Sequence, residues 1–213
     1  MKRFLFQGDS ITDVSRVDVD DGGAGSCLFG YGYPNLLAAD FLKNCKGEFD
    51  FINRGVSGDR IVDLYARIKD DIINLEPDVM SILIGVNDVW HELSVQNGVC
   101  AEKFEKIYSM LIEEIKEALP DIKIIILAPF VLKGSGTEMY YDEFRVEVAE
   151  RAECAKRVAE KYNLVYVPLQ GAFDEASADG DTTYWTTDSV HPTAAGHQII
   201  KEALAEAINQ LNI

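Results

Sequence analysis

Val79-Met80-Ser81-Ile82-Leu83-Ile84 runs straight into Gly85-Val86-Asn87-Asp88-Val89-Trp90, a strand-length apolar stretch that stops at a glycine-led polar block. A half-exposed strand alternates apolar with polar residues; this one does not, so both of its faces are expected to be covered. Moving toward the C-terminus, Phe104, Ile107, Tyr108, Leu111, Ile112, Ile115 and Leu119 recur at spacings of three and four, which is one face of a helix, and Pro120 stops it. Further apolar runs of strand length lie at residues 4–6, 49–52, 124–127 and 164–167, and helical patterns at residues 34–45, 59–75, 138–162 and 193–211. Alternation of this kind predicts an α/β fold: a three-layer α/β/α sandwich around a parallel sheet of about five strands, wound by right-handed crossovers. No repeat, low-complexity tract or proline-rich linker divides the chain, so residues 1–213 are read as a single domain.

Charge narrows the function. The 20 basic and 36 acidic residues leave a net charge of −16, a field that opposes nucleic-acid phosphates and anionic membrane surfaces alike. A neutral small molecule is indifferent to it. Cys27, Cys45, Cys100 and Cys154 are too widely spaced for a C-x-x-C metal or redox pair and are read as reduced packing residues. Lys2 and Arg3 are followed by only three apolar residues before Gln7-Gly8-Asp9, unlike a secretion signal, and no run approaches the roughly 20 apolar residues of a membrane span. A cytoplasmic protein with no membrane or nucleic-acid partner is therefore expected.

In doubly wound sheets, sites form beyond the carboxyl ends of the strands. There the chain carries Gly8-Asp9-Ser10-Ile11-Thr12-Asp13, then Asn53-Arg54-Gly55-Val56-Ser57-Gly58-Asp59, then Gly85-Val86-Asn87-Asp88; Asp188-Ser189-Val190-His191-Pro192-Thr193 precedes the last helix. Each piece has an ordinary reading. Ser10 suits a helix cap, Asn87 and Gly55 suit turns, and His191 suits an exposed loop. Together they are the parts of an acyl-transfer site. Asp188, three residues before His191, can fix the imidazole tautomer and leave its other nitrogen to take a proton from Ser10. The Asn87 amide and the backbone N–H groups of Ser10 and Gly55 can then face a developing oxyanion. Asp9 inside the first block, and Trp90 and Trp185 beside the later ones, are candidate substrate contacts.

These four blocks, in this order and spacing, resemble the serine hydrolases named for a G-D-S-L motif, or for the Ser, Gly, Asn and His spread over them. The resemblance covers nearly the whole chain, and Ile11 stands where the motif name has leucine. It implies a flavodoxin-like sandwich, Ser10, His191 and Asp188 as catalytic residues, Ser10, Gly55 and Asn87 as the oxyanion hole, and no cofactor. Residues 6–13, 53–58, 84–90 and 190–197 also look like those of intracellular acetylxylan esterases. That implies deacetylation of small acetylated xylo-oligosaccharides by a homo-oligomer. Related sequences hydrolyse other esters, so a lysophospholipase- or thioesterase-type acyl hydrolase remains the alternative.

Other signals are weaker. Asp18-Val19-Asp20-Asp21-Gly22-Gly23 lacks the full register of a calcium loop, and Phe29 stands where the bidentate glutamate belongs. His191 and His197 are poorly spaced for zinc, so no metal is expected and His197 is read as structural. No G-x-S-x-G elbow occurs. Ser57 is a rival nucleophile that no other feature selects. A flavodoxin-like phosphate-binding module is disfavoured because Asp9 and Asp13 would repel the phosphate at a loop without a glycine cradle. A catalytically silent sugar-binding relative has no support while all three triad positions are filled.

Overall fold

The structure, a computed structural model, describes residues 1–17 and 28–211. The calcium-like stretch at 18–23 and Cys27 lie outside the described residues. Five parallel strands, β1 (Lys2–Gly8), β2 (Phe49–Asn53), β3 (Val79–Leu83), β4 (Lys123–Leu127) and β5 (Val165–Val167), form one sheet in the order β2-β1-β3-β4-β5. Every residue of β3 is buried, as its unbroken apolar run requires. Alternate side chains leave the sheet on opposite faces: Phe4, Phe6, Val79 and Leu83 on one, Leu5, Met80 and Ile82 on the other.

Helices α2 (Tyr33–Asn44) and α9 (Ala194–Gln210) cover the first face through Tyr33, Leu37, Ile200 and Leu204. On the second lie α3 (Ile61–Ala66), α4 (Ile68–Asp71) and α6 (Ala101–Ala118), with Cys154, Ala155 and Val158 of α7 (Tyr141–Tyr162). The α6 face predicted from spacing is the buried one: Phe104, Tyr108, Leu111, Ile112 and Ile115 are fully covered.

Three elements depart from the sequence reading. The helix expected over residues 59–75 keeps its apolar spacing, with Ile61, Leu64, Ile68 and Ile72 all buried, but is broken into α3, α4 and a 3₁₀ turn at Ile73–Leu75. Arg67 causes the first break. It leaves helical backbone (φ −105°, ψ 18°) while its guanidinium donates to the Arg54 carbonyl and to Asp59 and Asp71, at 2.7–2.9 Å. Two helices were not expected: α5 (Val86–Val95), starting inside the polar block after β3, and α8 (Gln170–Ala176). A four-residue helix, α1 (Ser10–Asp13), follows β1.

β1 is paired with β2 on one side and β3 on the other, so connections leave the sheet in opposite directions here. This switch point opens a crevice at the carboxyl ends of β1 and β3. Ser10 and Asn87 both stand beside it. Among the described residues, no helix is long and apolar enough to cross a membrane.

Candidate active site

Ser10 reaches this crevice because Asp9, not Ser10, caps α1: the Asp9 side chain accepts the Ile11 N–H at 3.0 Å. The capping role that Ser10 might have filled is taken, and its hydroxyl is left for another partner. That partner is His191, whose Nε2 lies 2.7 Å from Ser10 Oγ, across 181 residues of chain. On the far side of the ring, Nδ1 is 2.6 Å from Asp188 Oδ2. The other carboxylate oxygen accepts the backbone N–H groups of Val190 (3.0 Å) and His191 (2.8 Å), which fixes the carboxylate plane.

The charges follow from this geometry. Partial burial would raise the Asp188 carboxyl, but the His191 ring and the two backbone N–H groups outweigh it and hold it at about 2. The hydrogen bond to Asp188 raises the His191 imidazole above its ordinary value, against desolvation that would lower it; the charges of Asp188 and Asp9 add to the rise. Once the raised His191 ring has lost its proton, the arrangement is an ionised carboxylate, a histidine able to accept a proton and a serine hydroxyl hydrogen-bonded to it. That set can generate an alkoxide-like nucleophile.

An oxyanion needs donors that have no other acceptor. The Ser10 N–H opens α1 and has no partner among the described residues. Asn87 spends one Nδ2 hydrogen on the Asp59 carbonyl (3.1 Å), which leaves the other. Gly55 does not fit the place expected for it: its N–H donates to Asn53 Oδ1 at 2.9 Å. A side chain at 55 would also stand 2.3 Å from the Asp13 backbone nitrogen, so glycine is there for close packing. The signal was present in sequence, since an asparagine two residues before a glycine reads as a turn that claims that N–H. Gly58, in the same block, has an N–H without a partner among the described residues and adjoins Asp59, the residue that anchors Asn87.

Asp9 also differs from expectation. It is 1% exposed, so it is a buried cap and not a surface for substrate. Burial pushes its carboxyl up to about 7, and Oδ2 has no partner among the described residues. Asp88 is buried beneath the same site, pushed up by burial to about 8, with both oxygens on the Ile61 N–H at the start of α3. Trp90, on α5, is half-buried: its ring lies 6.0 Å from that of His191 and meets Phe144 edge-on. Trp185 packs edge-on with exposed Tyr184, 5.0 Å between ring centres.

The remaining polar candidates are accounted for. Ser57 Oγ donates to Asp13 Oδ2 at 2.5 Å, away from any histidine. His197 is buried, burial pulls it down to about 4, and Nδ1 accepts the Tyr33 N–H at 3.3 Å. It is a neutral packing residue of α9.

Residues 6–199 match the model of the GDSL-like lipase/acylhydrolase family. An acetylxylan esterase of Geobacillus stearothermophilus is 32% identical over 97% of this chain and 94% of that protein. The crystal structure of Axe2, an acetylxylan esterase of the same organism, superposes with a TM-score of 0.84 at 30% identity, covering 97% of this chain and 94% of that one. LAE5, an α/β hydrolase enzyme from the metagenome of Lake Arreo, Spain, superposes with a TM-score of 0.85 at 32% identity, covering 100% of this chain and 97% of that one.

Proposed function

The chain belongs to the GDSL-like lipase/acylhydrolase family, a family of ester hydrolases, and from that premise we propose that it is a serine esterase that deacetylates small acetylated sugars, xylo-oligosaccharides foremost. One observation carries the mechanism: the unbroken line of hydrogen bonds from Ser10 Oγ through the His191 ring to Asp188. Ser10 Oγ attacks the ester carbonyl carbon as His191 Nε2 takes its proton, and the carboxylate of Asp188 stabilises the imidazolium. The carbonyl oxygen becomes an oxyanion among the Ser10 N–H, the Gly58 N–H and the free hydrogen of the Asn87 amide. On collapse the bond to the sugar oxygen breaks, His191 protonates that oxygen, and the acetyl group stays esterified to Ser10 Oγ. Water then attacks that ester with His191 as base and frees the enzyme.

Sugar acetates as substrate are supported by similarity to the acetylxylan esterase over nearly the full length of both chains. The Trp90 ring beside His191 supplies a flat apolar wall of the kind a pyranose packs against. The test is acetate release from acetylated xylo-oligosaccharides beside nitrophenyl esters of two to twelve carbons, with Ser10→Ala as control. Release from the sugars, preference for the two-carbon ester and an inactive variant are expected. Preference for long chains without sugar activity would move the substrate to lipid or thioester, and a fully active Ser10→Ala would end the serine mechanism.

A further inference from the structure

Ser189 stands next to Asp188 in a backbone conformation that L residues rarely adopt, φ +91°, and is only 1% exposed. Such strain persists where surrounding contacts over-determine it. Here those contacts come from one segment, the strap after β4. The Leu132 N–H donates to the Ser189 carbonyl and the Gly136 N–H to the Asp188 carbonyl, both at 2.9 Å. Thr137 Oγ1 lies 3.1 Å from Ser189 Oγ, whose hydroxyl in turn donates to the Asp188 carbonyl. Thr137 is itself buried (1%), with its N–H on the Gly134 carbonyl at 3.0 Å. The base of the strap is held too: Gln170 of α8 makes both amide hydrogen bonds to the backbone of Val131 at 3.0 Å, and Arg145 of α7 donates to the Val131 carbonyl at 2.9 Å.

We propose that residues 132–137 form a positioning strap, with Thr137 as its key residue, that holds Asp188 where its carboxylate can accept the His191 Nδ1 proton. The proposal rests on the serine-esterase reading for its catalytic meaning. Two observations separate it from ordinary loop packing. The strap grips the carbonyls of Asp188 and of its strained neighbour, on the backbone that carries the catalytic carboxylate. It also leaves no slack, because a methyl group on Gly136 would stand 2.6 Å from the Asp188 carbonyl oxygen. The charged groups that act on His191 are Asp188 from its own loop and Asp9 from the β1 end; the titratable neighbour on α9, His197, is buried and neutral. Of these only Asp188 is touched by the strap. Loosening it should therefore weaken the Asp188–His191 bond and lower the pH at which His191 takes up its proton.

The experiment follows the proton NMR titration of His191, assigned by its loss in His191→Gln, in wild type, Thr137→Val, Thr137→Ser and Gly136→Ala. The pH dependence of nitrophenyl acetate hydrolysis is measured alongside. Thr137→Val should titrate at lower pH than wild type and lose about 10- to 100-fold in kcat with KM little changed, because the histidine is held out of line. Thr137→Ser, which keeps the hydroxyl, should restore both readings. Gly136→Ala should shift His191 in the same direction as Thr137→Val and serves if the valine variant does not fold. A folded Thr137→Val or Gly136→Ala with the wild-type titration and kcat overturns the proposal. If wild type fails to cleave the ester while Thr137→Val still shifts His191, the esterase reading falls and the positioning role stands.

Discussion

His191 sits between a carboxylate held at about 2 and a neutral hydroxyl, and that asymmetry sets how the site responds to pH. Only the unprotonated ring can accept the Ser10 proton. Asp188 raises the imidazole above its ordinary value, so activity should already fall as the pH drops through a value above 6.5. A kcat/KM profile flat from pH 5 to 8 would exclude a histidine base. The donors differ in another way. Asn87→Ala removes one oxyanion donor and should lower kcat by about 10²–10³ with little change in KM, read from initial rates on a two-carbon ester. Gly55→Ala should act on the fold, because its methyl meets backbone at 2.3 Å; a loss of roughly 1–3 kcal/mol in urea unfolding is expected. A Gly55→Ala protein of wild-type stability would refute the close-packing role assigned to that glycine. Asp9 adds a stability term with its own sign. Its folded carboxyl, raised from 3.8 to about 7, holds a proton that the unfolded chain releases, so stability is highest below about pH 4 and falls as pH rises toward 7. The loss for this one group is on the order of 4 kcal/mol. Asp9→Asn should therefore be more stable than wild type at pH 8 and converge with it near pH 4, measured by thermal unfolding at both.

Helix α6 packs five fully covered side chains on the sheet, yet one carries an unmet hydrogen bond: the Tyr108 hydroxyl is buried without a partner among the described residues. Tyr108→Phe keeps the ring and removes that cost, so it should stabilise the protein by about 1 kcal/mol, seen as a higher urea midpoint at unchanged slope. An unchanged or lower midpoint would mean the hydroxyl is satisfied in solution. What made α6 legible in sequence is that its register depends only on spacings of three and four. The strands were legible for the same local reason, as unbroken apolar runs. Where a side chain leaves its own element to bond a distant one, the sequence carried no local trace. Arg67 breaks a well-patterned helix to serve Arg54 and Asp59, and Thr137 meets Ser189 across 52 residues. The site divides in the same way. The places of Ser10, Asp188 and His191 at strand and loop ends are legible in sequence, and the structure joins these three by hydrogen bonds. Gly55 departs from the oxyanion place expected for it because its N–H donates to Asn53 Oδ1, and Asp9 departs from a substrate contact because a helix cap and a substrate contact share one residue type.

A net charge of −16 on 213 residues acts on the whole molecule, beyond the reach of any single contact. Its field extends about one Debye length from the surface, roughly 30 Å at 10 mM salt and 10 Å at 100 mM. The crevice lies at the strand ends, where the ionised Asp188 brings negative charge within one imidazole ring of Ser10, while Asp59 is paired with Arg67. A neutral acetylated sugar crosses this field without work, whereas an ester that carries a carboxylate is repelled before it arrives. The same acetyl group should then be cleaved with different salt dependences according to its leaving alcohol. Between about 10 and about 200 mM salt, kcat/KM for a neutral acetyl ester should stay level, while that for an anionic acetyl ester should rise several-fold with kcat unchanged, because screening affects encounter and not chemistry. If both esters rose together, salt would be acting on the fold or on the charge of His191. If neither changed, the acidic surface would have no part in selecting neutral substrates.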